Sequence, residues 1–130
     1  MIEIKFDKDN NKVYISSYDS DFFQLIDNNI SIIRYKGKNS KIIDENEFIN
    51  SFGFTPNKYV FYKCLVGDSA DNIKGITGIG KKRATTIVNN CSCFQELLNN
   101  ANKYLPSKIA EMLNLSMESV NIIFFDGCVN

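Results

Sequence analysis

The apolar positions of this chain follow two different rhythms. Val13-Tyr-Ile-Ser-Ser17 is a short β-branched and aromatic run, the composition of a buried strand. It ends in Tyr18-Asp19-Ser20-Asp21, after which Phe22, Phe23, Leu25 and Ile26 supply one apolar face of a short helix. A second strand is predicted from Ile30 to Tyr35, and Lys36-Gly-Lys-Asn-Ser40 reads as a turn. Asp44-Glu-Asn-Glu47 has the spacing of a capping box and opens a helix that stops at Gly53. Thr55-Pro56 starts another, with proline at the first helical position, running to about Val66. Beyond a glycine-rich hinge the pattern is helical throughout. One helix is predicted from Gly80 to Asn89, one capped by Ser92 through Leu98, and one from Pro106 to Leu113. Ser116 opens the last, which carries Val120, Ile122, Ile123 and Phe124. Strands come first and helices after, with no internal repeat and no low-complexity segment.

Composition narrows the chemistry. At 130 residues and 44% hydrophobic, the chain can bury roughly two-thirds of its unfolded surface and hold a core. Histidine is absent, which removes serine and cysteine triads, histidine-ligated zinc and histidine general bases. Catalysis would have to run on carboxylates, lysines, hydroxyls or thiols. Cys91 and Cys93 have one residue between them, not the two of a zinc knuckle or redox motif. With Cys64 and Cys128 they read as reduced small hydrophobes of a cytoplasmic protein. The first residues alternate and are charged, unlike a signal peptide. No apolar run approaches the ~18 residues of a membrane span.

The net charge is zero, but the charges are segregated. From Asn72 to Gln95 stand Lys74, Lys81, Lys82 and Arg83 with no acidic residue. Gly75-Ile-Thr-Gly78-Ile-Gly80-Lys81-Lys82-Arg83-Ala84 places glycines where the backbone turns tightly and can approach a ligand. A helix beginning at Gly80 turns its first N–H groups toward an anion. Bare stability would put Asp or Glu in that first turn. Three cations there call for an external negative partner, as in a helix–hairpin–helix grip on the nucleic acid backbone. The plain alternative is an ordinary turn beside a solvated basic helix.

The acidic residues form two close pairs. Asp19 and Asp21 stand where a strand gives way to a helix, the edge at which open α/β sheets bind ligands. Asp68 and Asp71, three apart, face the same way on a helix or helical turn. Turns are rich in aspartate, so each pair alone is a weak signal. Together, four carboxylates with no matched cations invite a hard divalent ion, Mg²⁺ or Mn²⁺. A metal beside a phosphate grip implies two-metal phosphodiester chemistry.

Two segments, Ile15-Ser-Ser-Tyr-Asp19-Ser-Asp21-Phe-Phe-Gln24-Leu25 and Tyr62-Lys-Cys-Leu-Val-Gly67-Asp68-Ser-Ala-Asp71-Asn72-Ile73 through Gly80-Lys81-Lys82-Arg83-Ala84, resemble the flap endonuclease, or 5′ nuclease, family. That family includes phage 5′ exonucleases and the 5′ nuclease domain of bacterial DNA polymerase I. The resemblance runs from about Val13 to Leu98. It implies a mixed α/β fold: a partial PIN-like sheet with flanking helices over residues 1–54, then a helical section over 55–130 holding a helix–three-turn–helix. It further implies Asp19, Asp21, Asp68 and Asp71 as ligands around a metal pair, mainly its second site. Gly75, Gly78, Gly80, Lys81, Lys82 and Arg83 would hold duplex or branched DNA, with a potassium ion between loop carbonyls and phosphate. The implied activity is Mg²⁺-dependent, structure-specific 5′ nuclease cleavage.

The resemblance covers only the family's C-terminal half, without its early acidic run and helical arch. A separate polypeptide carrying the N-terminal half would complete the enzyme. The alternatives are a DNA-binding remnant without catalysis and an accessory subunit. The strand from Val13 to Ser17 is expected to lack most of its sheet partners, leaving an unpaired edge and an exposed apolar patch.

Overall fold

The computed structural model describes residues 2–9, 11–35 and 37–119. The chain forms two compact units, Met1–Val60 and Phe61–Asn130. The first is a mixed sheet with a helix, and the second is helical.

In the first unit, strands β1 (Glu3–Asp7), β2 (Lys12–Ser16), β3 (Ile30–Arg34) and β4 (Lys41–Ile43) lie in sequence order across one sheet. β1 and β2 form an antiparallel hairpin and β3 and β4 are also antiparallel, whereas β2 and β3 run parallel. Parallel neighbours need a crossover, and here it carries a 3₁₀ turn at Ser20–Leu25. One register row runs Ile4, Ile15, Ile32, Ile43 across all four strands. Its centre is buried, with Ile32 fully so, but Ile4 at the β1 end is 65% exposed.

Helix α1 (Glu45–Phe52) starts as its sequence predicts: the Asp44 side chain accepts from Glu47 N–H at 2.8 Å. The Glu47 carboxylate pairs with Lys41 at 2.7 Å. Gly53 ends the helix in the left-handed conformation, φ 86°, which glycine adopts without a Cβ clash. α1 then buries Phe48 among Phe23, Phe52, Phe54 and Tyr59, with ring centroids from 4.4 to 5.9 Å apart. Most of these pairs meet edge to face, the arrangement the ring quadrupoles favour.

Helix α2 (Tyr59–Val66) follows a 3₁₀ turn at Pro56–Lys58, so the predicted proline start holds. The second unit continues with α3 (Lys81–Asn90), α4 (Phe94–Asn99), α5 (Ala101–Tyr104) and α6 (Ser107–Ser119). Ala84, Ile87 and Val88 form the buried stripe of α3, at the spacing of one helix face. Its core also includes Leu65, Phe94, Leu97, Ala101 and Ala110.

Several expectations are corrected. β2 has partners on both sides, because residues 3–7 fold back to pair with it. The alternation of Ile2, Ile4 and Phe6 with charged residues is a strand pattern, used in the sequence reading only to set the segment apart from a signal peptide. Ser92 does not cap α4: Cys93 holds that position, and Ser92 instead donates its N–H to Glu96 Oε2 at 2.6 Å. Ser116 falls inside α6 rather than at the start of a new helix. The predicted stretch through Val120, Ile122, Ile123 and Phe124 lies outside the described residues. Cys64 and Cys91 are free thiols whose pKa values burial pushes up. Cys128, expected to be reduced with them, lies outside the described residues. Among the described residues, no helix is long and apolar enough to cross a membrane.

Candidate functional site

Asp19 and Asp21 occupy the turn after β2, at the carboxyl end of that strand. Asp19 caps the 3₁₀ turn, its side chain accepting from Asp21 N–H at 2.9 Å. Asp19 N–H is held by the buried Ser17 hydroxyl at 3.0 Å. Arg34, which sequence reasoning passed over, fastens this turn from β3. Its guanidinium donates to Tyr18 O and to Ser20 Oγ, and lies 4.7 Å from the centre of the Phe23 ring. One cation thus pins both sides of the aspartate turn while stacking on the core.

Asp68 and Asp71 lie on a closed turn rather than a helix. Asp68 and Ile73 exchange backbone hydrogen bonds at 2.7 and 2.8 Å as an isolated bridge. Inside it, Asp68 Oδ1 accepts from Ala70 N–H at 3.0 Å, a local side-chain turn of the kind aspartate favours. The two carboxylates nevertheless meet at one point. Lys63, from α2, brings its ammonium against Asp68 Oδ2 and lies 3.2 Å from Asp71 Oδ2. The expectation of carboxylates without a matched cation is corrected here. Lys63 is five positions before Asp68, so the pairing depends on how α2 ends and the turn folds back. The hydrogen bond from Lys63 is the main reason the Asp68 carboxyl sits below its ordinary pKa, assisted by the backbone N–H groups of the turn.

The glycine-rich segment adjoins this turn. Gly67 and Gly75 both have positive φ, 85° and 71°. A Cβ on Gly75 would come within 2.6 Å of Gly67 N and Val66 C, and one on Gly67 within 2.7 Å of Lys74 O. Backbone therefore packs on backbone where the aspartate turn and the glycine loop share a neck. Gly78 has φ 91°, and a Cβ there would meet Ile109 of α6 at 2.4 Å. Gly80 faces open space and caps α3 with no side-chain hydrogen bond. Lys81 and Lys82 are exposed in the first turn of α3. Arg83 instead donates to Gly78 O at 2.6 Å and closes the loop on itself.

The turn's donor set suits a divalent cation. Carboxylate oxygens are the hard ligands Mg²⁺ and Mn²⁺ prefer, and two of them already converge on one positive group. A 5′-3′ exonuclease C-terminal SAM-fold family model matches residues 54–123, over half of the chain. The chain belongs to the 5′-3′ exonuclease family. Within this family, it is similar to the 5′-3′ exonuclease of Mycoplasmopsis pulmonis, 39% identical over 90 residues, covering 69% of this chain and 30% of that protein. The 5′-3′ exonuclease of Buchnera aphidicola is 30% identical over 120 residues, 92% of this chain and 41% of that protein. The chain thus spans well under half the length of these two exonucleases. A bacteriophage T5 flap endonuclease, solved as a pseudo-enzyme–product complex with DNA and metal ions, shares the fold. Its TM-score is 0.65 at 23% identity, over 88% of this chain and 42% of that one.

Proposed function

We propose that this chain is the C-terminal part of a Mg²⁺-dependent, structure-specific 5′ nuclease acting on flap or branched DNA. It would work with the remainder of the nuclease fold that its exonuclease relatives carry, in the same polypeptide or a second one. The observation that carries the reading is the convergence of Asp68 Oδ2 and Asp71 Oδ2 on a single cation position. Asp68 and Asp71, with Asp19 and Asp21, would hold the metals. When bound, such ions polarise the phosphodiester and activate water. The chain's own part is positional. The bridge between Asp68 and Ile73 fixes one carboxylate, and Arg34 fixes the turn that carries Asp19 and Asp21. Residues 75–83 would hold the duplex by phosphate, Lys81 and Lys82 by charge and the α3 N-terminus by its N–H groups. A potassium ion at the loop carbonyls belongs to the same reading, although Gly78 O is already engaged by Arg83.

The test combines metal and flap. Mg²⁺ should stabilise the chain, by about 2.7 kcal/mol at a hundred times its Kd, and Asp71→Asn should remove most of that gain. Labelled flap DNA should be bound by the chain alone and cleaved only when the rest of the nuclease fold is supplied. A melting temperature indifferent to Mg²⁺ would overturn the metal assignment. Cleavage by the lone chain would overturn its place as part of a larger enzyme.

A further inference from the structure

Lys63 differs from Lys81 and Lys82 in where its ammonium lies. Its side chain is only 12% exposed, whereas Lys81 and Lys82 stand in solvent. A shielded ammonium is costly unless it is paired, and its partners here are the two carboxylates of the Asp68–Asp71 turn. The pairing uses particular oxygens. Asp68 Oδ1 is committed to Ala70 N–H, so Oδ2 is the oxygen turned to a cation, and Lys63 lies against it. The same ammonium reaches Oδ2 of Asp71. Lys63 therefore stands where a divalent ion ligated by both residues would seek its oxygens.

We propose that Lys63 is a built-in counter-ion, a positioning residue that holds Asp68 and Asp71 together without metal and yields its place when a divalent ion binds. The inference rests on the reading of these aspartates as metal ligands and assigns the residue that sets how tightly they bind. Two effects oppose each other. The ammonium relieves repulsion between the carboxylates, which keeps the empty turn folded. It also cancels part of the negative charge that attracts the ion and repels the ion directly, and affinity in oxygen-ligand sites follows ligand charge. At short range in a partly shielded site, the second effect is the larger for binding. Lys63 thus weakens metal affinity in return for a turn that stays ordered when empty.

The test uses the full chain, with Mn²⁺ binding followed by paramagnetic resonance of the free ion. Lys63→Met should bind Mn²⁺ on the order of tenfold more tightly and should melt at a lower temperature in chelator. Lys63→Arg, which keeps the charge, should restore both values toward those of the native chain. A purely structural lysine would not couple a loss of metal-free stability to a gain in affinity. Asp71→Asn in the Lys63→Met background should abolish the gain. If Lys63→Met is unfolded in chelator, the inference requires Mn²⁺ to refold it. In the unsubstituted chain, the Lys63 Cε–Hε resonance should move along the Mg²⁺ titration together with the Asp68 and Asp71 amides. Unchanged or weaker Mn²⁺ binding by folded Lys63→Met overturns the inference, as does a static Lys63 resonance while those amides saturate. Either result leaves the metal assignment standing, because binding would still depend on Asp71. Binding insensitive to Asp68→Asn and Asp71→Asn in every background would overturn both.

Discussion

Asp68 shows how much one side chain can be asked to do. Its Oδ1 organises the turn through Ala70 and its Oδ2 meets Lys63, so both oxygens favour the charged form. A carboxyl whose folded pKa is depressed adds stability above its unfolded pKa and loses it as pH falls through the folded value. In chelator, stability should therefore decline on acidification through and below the ordinary carboxylate range. Asp68→Asn should be less stable than the native chain near neutral pH and show a flatter acid limb. Urea denaturation at a series of pH values measures both. Equal acid limbs would show that Asp68 contributes nothing to the pH dependence. The identity of Asp68 and Asp71 as a pair was legible from spacing. Lys63 was not, because a lysine on an apolar helix gives no sign of which loop its ammonium reaches.

The glycine loop and α3 act as one element in which stability and binding are separable. Gly75→Ala places a Cβ against the Val66 and Gly67 backbone, which cannot move aside, in a left-handed conformation. It should cost about 2–5 kcal/mol by denaturant melt. Gly80→Ala adds a methyl to open space at a helix cap and should cost no more than about 1 kcal/mol. The three basic residues divide in the same way. Lys81→Ala with Lys82→Ala should weaken duplex binding evenly across sequences and lower the slope of log affinity against log salt by about 2. Arg83→Ala should also loosen the loop, since it removes the hydrogen bond to Gly78 O. An unchanged salt slope in the double-lysine variant would refute the phosphate grip. The run of cations was plain in the sequence. That one of the three closes its own loop depends on a left-handed Gly78 presenting its carbonyl.

At the scale of the whole molecule, the sheet is unevenly covered. The Ile4–Ile15–Ile32–Ile43 row is buried at its centre and open at β1, where Ile4 and Phe6 are 65% and 58% exposed. β1 is also an edge strand, and apolar edges recruit other chains. The chain should therefore associate as its concentration rises. Ile4→Lys with Phe6→Lys should shift sedimentation toward monomer without a large loss of stability, since neither side chain is buried. Undiminished association in that variant would place the contact elsewhere. Ile4 and Phe6 are thus exposed apolar side chains on a strand whose other edge pairs with β2.

By itself, the sequence determined the elements whose causes are local. The Asp44 cap and Gly53 stop of α1, the proline start ahead of α2, the β-branched cores of β2 and β3 and the Ala84–Ile87–Val88 stripe all depend on residues within a few positions. The two aspartate pairs and the cation run were legible for the same reason, since they are statements about neighbours. Only the tertiary structure decided what depends on closure over longer distances. It gave the Asp68–Asp71 turn its counter-ion in Lys63, stacked Arg34 on Phe23, and packed Gly67 against Gly75. In each case the energy comes from groups whose approach is settled by the fold of the intervening chain, and no periodicity in the residues records it.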